Sequence, residues 1–198
     1  MKFFKNLLKQ KKLRIILYAC IIFILLIISF NDLRGNNVVS NSKMLTSMQE
    51  KIGMPLRLKI SKISVDAPIE NVGIKTNGTM DVPKGPEGVA WYQLGPRPGE
   101  IGSSVINGHS GWKDGIPAVF DNLYKLKKGD QISIEDDKGA IITFIVRVIS
   151  YYNPDADATN IFTSKDNLSH LNLITCTGDW SNITKSTNKR LVIFTDRK

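Results

Sequence analysis

Apolar and polar residues alternate in short runs from position 55 onward, and Gly, Pro and Asn cut the runs apart. Leu56-Arg57-Leu58-Lys59-Ile60 is the first such run and residues 63–69 form the second. Period-two alternation predicts strands with one buried face. Residues 103–107, 171–176 and 191–195 read as further strands, Ala90-Trp91-Tyr92 as a strand or sheet edge, and Met80-Asp81-Val82-Pro83 as an extended piece. Residues 131–135 and 141–148 flank Asp137-Lys138-Gly139, a hairpin signature, and Asn77-Gly78 marks another turn. Residues 119–126 read as a short helical or 3₁₀ piece. Residues 151–163 and 177–189 read as long polar loops. Many short strands with little helix predict an all-β sandwich or barrel.

The N-terminal pattern is different. Residues 15–30 are apolar apart from Tyr18 and Ser29, with no polar face. With Leu13 and a snorkelling Arg14 the run makes about 27 Å of helix, close to the thickness of a bilayer core. A core helix would carry a polar stripe, and a signal peptide would end in a small-x-small site. Ile28-Ser29-Phe30-Asn31-Asp32-Leu33 offers none. The expected organisation is a basic cytoplasmic segment (1–12), a transmembrane anchor (13–30), an extracellular stalk (31–54) and a folded β domain (55–198).

Charge supports that division. The formal net charge is +9, and six basic residues (Lys2, Lys5, Lys9, Lys11, Lys12 and Arg14) precede the first acid, Asp32. Placed beside an apolar run, this cluster keeps the N-terminus in the cytoplasm and sends the remainder outside. Nucleic-acid binding would want the charge on the folded domain, interleaved with aromatics.

Cys176 is the one cysteine outside the apolar run, so it has no disulfide partner there. It is either a small buried hydrophobe or a free reactive thiol at a strand end. A nucleophilic thiol needs a proton-handling partner and an oxyanion stabiliser. Of two histidines, His170 lies about 20 Å from Cys176 along an extended strand and reads as a surface residue at the strand entrance. His109, Gly-flanked at another strand end, is the geometrically accessible partner. Arg190 opens the last strand. If that strand pairs antiparallel with the Cys176 strand, Arg190 faces Cys176, Val192 faces Ile174, and Phe194 faces Asn172. Asp114 and Asp179 are available to orient His109. Lys189 and Arg197 read as solvated strand-end charges.

The order and spacing of these pieces resemble the sortases, cysteine transpeptidases of bacterial cell surfaces. Leu173-Ile174-Thr175-Cys176-Thr177-Gly178 is similar to their Thr-Cys signature, Val105-Ile106-Asn107-Gly108-His109 to their Gly-His motif, and Asn188-Lys189-Arg190-Leu191-Val192 to their arginine strand. Residues 63–69, 80–83, 99–103 and 117–120 look most like the class F branch, with class D second. The resemblance covers residue 55 to the end. It implies a closed barrel of about eight strands. It also implies Cys176 as nucleophile, His109 as general acid, Arg190 as substrate and oxyanion contact, and Thr175 and Thr177 beside the substrate. The implied partners are surface proteins with an LPXTG-like sorting signal, cleaved between Thr and Gly, and an amine acceptor from peptidoglycan precursor or a pilin lysine. The acidic calcium site of some class A members has no clear counterpart, so neither metal nor cofactor is expected. An L,D-transpeptidase would place its arginine two residues after the thiol, and here Arg190 follows fourteen later. The remaining rival is an anchored surface adhesin or scaffold in which Cys176 is core.

Overall fold

The computed structural model describes residues 52–181 and 186–198, within a compact unit that runs from Lys51 to Lys198. The expected anchor and its basic flank lie outside the described residues, as does most of the stalk. Among the described residues no helix is long and apolar enough to cross a membrane.

Eight strands close into a barrel: β1 (Pro55–Ile60), β2 (Val65–Val72), β3 (Val89–Tyr92), β4 (Gly102–Gly108), β5 (Gln131–Asp136), β6 (Ile141–Tyr152), β7 (Ser169–Ser181) and β8 (Ser186–Arg197). Their order around the barrel is β1-β2-β3-β4-β7-β8-β6-β5, with β5 pairing back to β1. The β2–β3 and β4–β7 pairs are parallel and the others antiparallel. Among the described residues, helix is confined to 3₁₀ turns at Ser61–Ile63, Lys113–Gly115 and Leu123–Lys125 and to one turn of α-helix, α1 (Thr159–Phe162).

Alternation decides what each strand buries. The inward row of β7, Leu171, Leu173 and Thr175, meets Ile106 of β4, Leu191 and Ile193 of β8, and Phe144 and Ile134 across the barrel in one apolar core. The outward row of the same region is apolar as well. Val105, Val192 and Phe194 sit in a second cluster with Ile161 of α1, against which Ile174, Tyr152 and Phe162 pack. Strands β4, β7 and β8 are therefore covered on both faces, inside by the barrel core and outside by the β6–β7 connection (153–168).

Two lengths differ from the expectation. β6 runs on to Tyr152, so the loop expected at 151–163 is shorter and carries α1. β7 and β8 continue pairing past Cys176, through Trp180↔Thr187 and Ser181↔Ser186, where a long loop was expected. A register shift between Thr177 and Trp180 interrupts this extension, with Gly178 at φ 83°. Its polar sequence carries no alternation, so nothing in it marked a strand.

The folded unit takes in three residues expected in the stalk. Ile52 joins the core, and its carbonyl accepts from Arg97 Nη1 at 2.7 Å. Gly53 N donates to Asp136 Oδ2 and Met54 N to Asp137 Oδ1, both at 2.8 Å. Asp136 also accepts from the amides of Lys138 and Ala140. Burial opposes its charge, but these three backbone donors outweigh it and hold the carboxyl below the usual range. A Cβ at Gly53 would fall 2.0 Å from Asp137 Oδ1, which explains the glycine. This clamp sits where β1 begins and β5 ends. Following strand directions around the barrel, that is the pole opposite the one where β4 ends, β8 begins and Cys176 sits.

Candidate active site

Register brings the three expected residues into one row. β7 pairs antiparallel with β8 at Cys176↔Arg190, Ile174↔Val192 and Asn172↔Phe194, as the spacing implied. β4 pairs parallel with β7 at Val105↔Asn172 and Asn107↔Ile174. Two residues further along both strands, His109 comes level with Cys176. Thr175 Oγ1 donates to Gly108 O at 2.8 Å and fixes this last step. His109, Cys176 and Arg190 thus stand on neighbouring strands, on the same outward face, with the thiol in the middle.

The row opens into a cleft of about 340 Å³. His109, Cys176 and Arg190 line it together with Met80 and Val82 from the β2–β3 connection and Ile161 and Phe162 from α1. Cys176 is half-buried and free, not a core residue. Thr175 touches the cleft but is 3% exposed, its hydroxyl committed to Gly108. Thr177 pairs with Lys189 and is not among the residues that line the cleft. No group of three or more His, Cys, Asp or Glu among the described residues could hold a metal ion.

His109 is held from two sides. Its Nε2 lies 2.9 Å from Pro83 O. A carbonyl only accepts, so Nε2 carries hydrogen and Nδ1 is the nitrogen that can gain or give a proton. The ring of Trp112 meets it edge-on, centroids 4.6 Å apart. Neither Asp114 nor Asp179, the two acids expected near it, reaches it. Asp114 lies in a 3₁₀ turn at φ 59°, and Asp179 N bonds to Asn188. The carboxylate that shapes this region is Asp121, which accepts from Gly111 N at 2.6 Å and Ala118 N at 2.9 Å and so sets the loop following His109. Gly108 has its own reason: a Cβ there would lie 2.6 Å from the buried ring of Phe120.

Arg190 Nη1 donates to the carbonyls of Thr187 and Lys189 at 3.1 and 3.0 Å. These contacts curl the guanidinium back over its own strand entrance, at the rim of the cleft.

His170 departs most from the sequence reading. It is 5% exposed, not a surface residue. It faces outward on β7, where 153–168 fold over it. Its Nδ1 bonds Asp196 Oδ1 at 2.8 Å and its Nε2 bonds both oxygens of Asp166 at 3.0 Å.

A sortase-domain family model matches residues 58–198, which is most of the chain and nearly all of the barrel. The chain belongs to the sortase family. It is therefore a cysteine transpeptidase, and the scaffold reading with a core cysteine fails on both the family and the half-exposed thiol. Sortase C-1 from Actinomyces oris superposes with a TM-score of 0.57 at 29% identity, over 72% of each chain. A lid mutant of sortase A from Corynebacterium diphtheriae gives 0.56 at 26%, over 75% of this chain and 72% of that one. The pilus-related sortase C of Group B Streptococcus gives 0.55 at 26%, over 75% and 68%. No curated protein sequence matches. These three are sortases of the A and C groups, so the sequence likeness to class F has no counterpart among them.

Proposed function

We propose that this sortase cleaves an LPXTG-like sorting signal between Thr and Gly and passes the acyl group to an amine of the cell wall. The observation that carries this reading is the single row of His109, Cys176 and Arg190 at the mouth of one cleft. The Cys176 sulfur attacks the Thr carbonyl as thiolate, the form that nearby positive charge favours. Arg190, always charged and forked, swings from its strand entrance to donate to the carbonyl oxygen as it becomes an oxyanion. His109 gives its Nδ1 proton to the departing glycine nitrogen. The C–N bond breaks and a thioester to Cys176 remains. An incoming amine then attacks the thioester, loses its proton to His109, and expels the Cys176 thiolate, which restores the starting pair. Met80, Val82, Ile161 and Phe162 give the cleft an apolar wall suited to the Leu-Pro part of the signal. Thr175 acts through Gly108, holding the His109 and Cys176 strands level, and Thr177 borders the thiol. The test is incubation with a panel of sorting-motif peptides and intact-mass analysis. A thioester adduct on Cys176, released by added triglycine as a transpeptidation product, is the expected outcome. Absence of any adduct across the panel refutes the proposal.

The motif pieces at 63–69, 80–83, 99–103 and 117–120 support a class F enzyme, with class D second. The apolar run at 13–30 and its basic flank support a single-pass anchor with the catalytic domain outside the cell. Surface proteins with the sorting signal and a peptidoglycan or pilin amine are then its partners. Protease added to intact protoplasts is expected to remove the domain. A domain protected until the membrane is lysed would reverse the orientation.

A further inference from the structure

The cleft wall formed by α1 is fastened from below by side chains that the reaction does not use. Asn172 is 1% exposed, and its Nδ2 donates to Ile161 O at 2.6 Å. Ile161 lines the cleft in the same turn of helix as Phe162, which meets Tyr92 edge-on at 5.4 Å. Two residues before Asn172 on the same outward row stands His170. Both its ring nitrogens point at carboxylate oxygens, and carboxylates only accept, so both nitrogens must donate. The ring is an imidazolium tying Asp166 at the end of the β6–β7 connection to Asp196 of β8. Asp166 also accepts from Leu168 N, and Leu168 O accepts from Gly102 N at the start of β4. Beside α1 an open groove of about 640 Å³ runs between the connection, at Asn160, Ser164 and Lys165, and the strands that present Arg147, His170 and Asn172. The wall thus rests on the outer cluster through Ile161 and is held beside the groove at these fixed points.

We infer that His170 and Asn172 are positioning residues, a latch that holds the β6–β7 connection down and so sets how tightly the cleft binds its peptide. The effect on peptide rests on the sortase reading of the cleft; the latch itself does not. The latch is sensitive to pH. Burial works against the charge of His170, but the hydrogen bonds it donates to Asp166 and Asp196 prevail and raise its pKa above the ordinary value. A raised pKa means the imidazolium favours the closed wall fully below about pH 6.5. That contribution is lost as pH rises through the folded value. The other charges around His170 are Lys165 on the connection and Arg147 on β6, whose Nε bonds Asp196 at 3.0 Å; β4 presents the neutral Ser103.

The test uses Asp166→Asn in the full-length protein in detergent. Its side chain is half-exposed, so the fold should survive the change. At pH 6 the Ile161 and Thr163 amides should exchange hydrogen about tenfold faster than in the wild type. KM for the sorting peptide should rise roughly three- to tenfold, the worth of a partly exposed charge-assisted bond, with kcat within about twofold. The ratio of variant to wild-type KM should fall towards one at alkaline pH, which a merely structural defect would not produce. Unchanged exchange, faster exchange with unchanged KM, or a KM ratio constant with pH would each overturn the latch. If the wild type cleaves no sorting peptide, the proposed reaction fails, and the exchange comparison still decides the latch.

Discussion

Cys176→Ala is expected to abolish both halves of the reaction, leaving no thioester in intact mass and no transpeptidation product. The loss should be total because the side chain supplies the bond that holds the acyl group, and Cys176 is the single cysteine among the described residues. Folding should survive. Cys176 is half-buried at the cleft mouth and outside the core that closes the barrel, so its replacement by a smaller residue removes few contacts. An unchanged circular dichroism spectrum with zero turnover is the expected pair of measurements. Residual product from the variant would mean another group carries the acyl chain, and the assignment would fall.

The second large effect separates the two neighbours of the thiol. Arg190→Lys keeps a positive charge on the β8 entrance but loses the planar fork, and an ammonium cannot span the same donors. A rate loss on the order of 10²-fold in kcat is expected if the fork holds the oxyanion. His109→Ala should behave differently. Iodoacetamide should still alkylate Cys176, because the thiol remains exposed in the cleft, but peptide cleavage should stop because the leaving amine has no proton donor. Single-turnover cleavage read beside alkylation distinguishes the roles. Full activity in either variant would remove that residue from the mechanism.

The pairing of Cys176 with Arg190 and the all-β class were legible in the sequence, while the contacts around them were not. The Cys176–Arg190 pairing was legible because both residues close short, strongly alternating runs, and an antiparallel register follows from arithmetic once one pair is fixed. His109 was legible by elimination between two histidines. What holds His109 was not. Pro83, Trp112 and Asp121 reach it or its loop through chain reversals whose geometry no periodicity encodes. His170 reads from sequence as a surface residue because its distance from Cys176 carries no information on its burial. Its burial comes from α1 and the following residues folding over an outer strand face, and a polar connection gives no sign of where it lies down. The Asp166-x-x-x-His170 spacing is the one signal the sequence carries for this contact. The barrel extension beyond Cys176 was missed for the opposite reason: its strands resume pairing after the shift at Gly178, but its polar sequence has no apolar row.

The clamp at Gly53 and the thiol at Cys176 occupy opposite poles of the barrel, and this fixes how the domain bears mechanical load. A protein held as thioester on Cys176 and dragged by flow pulls on β7, while any tether ahead of Ile52 pulls on β1. The line between the two points runs along the strands. Force in that direction loads the β4–β7 and β7–β8 ladders in shear, so many interstrand bonds must give way together instead of parting one by one as in a peeled hairpin. At the other end the tether meets the Asp136, Asp137 and Arg97 contacts before it reaches the first strand.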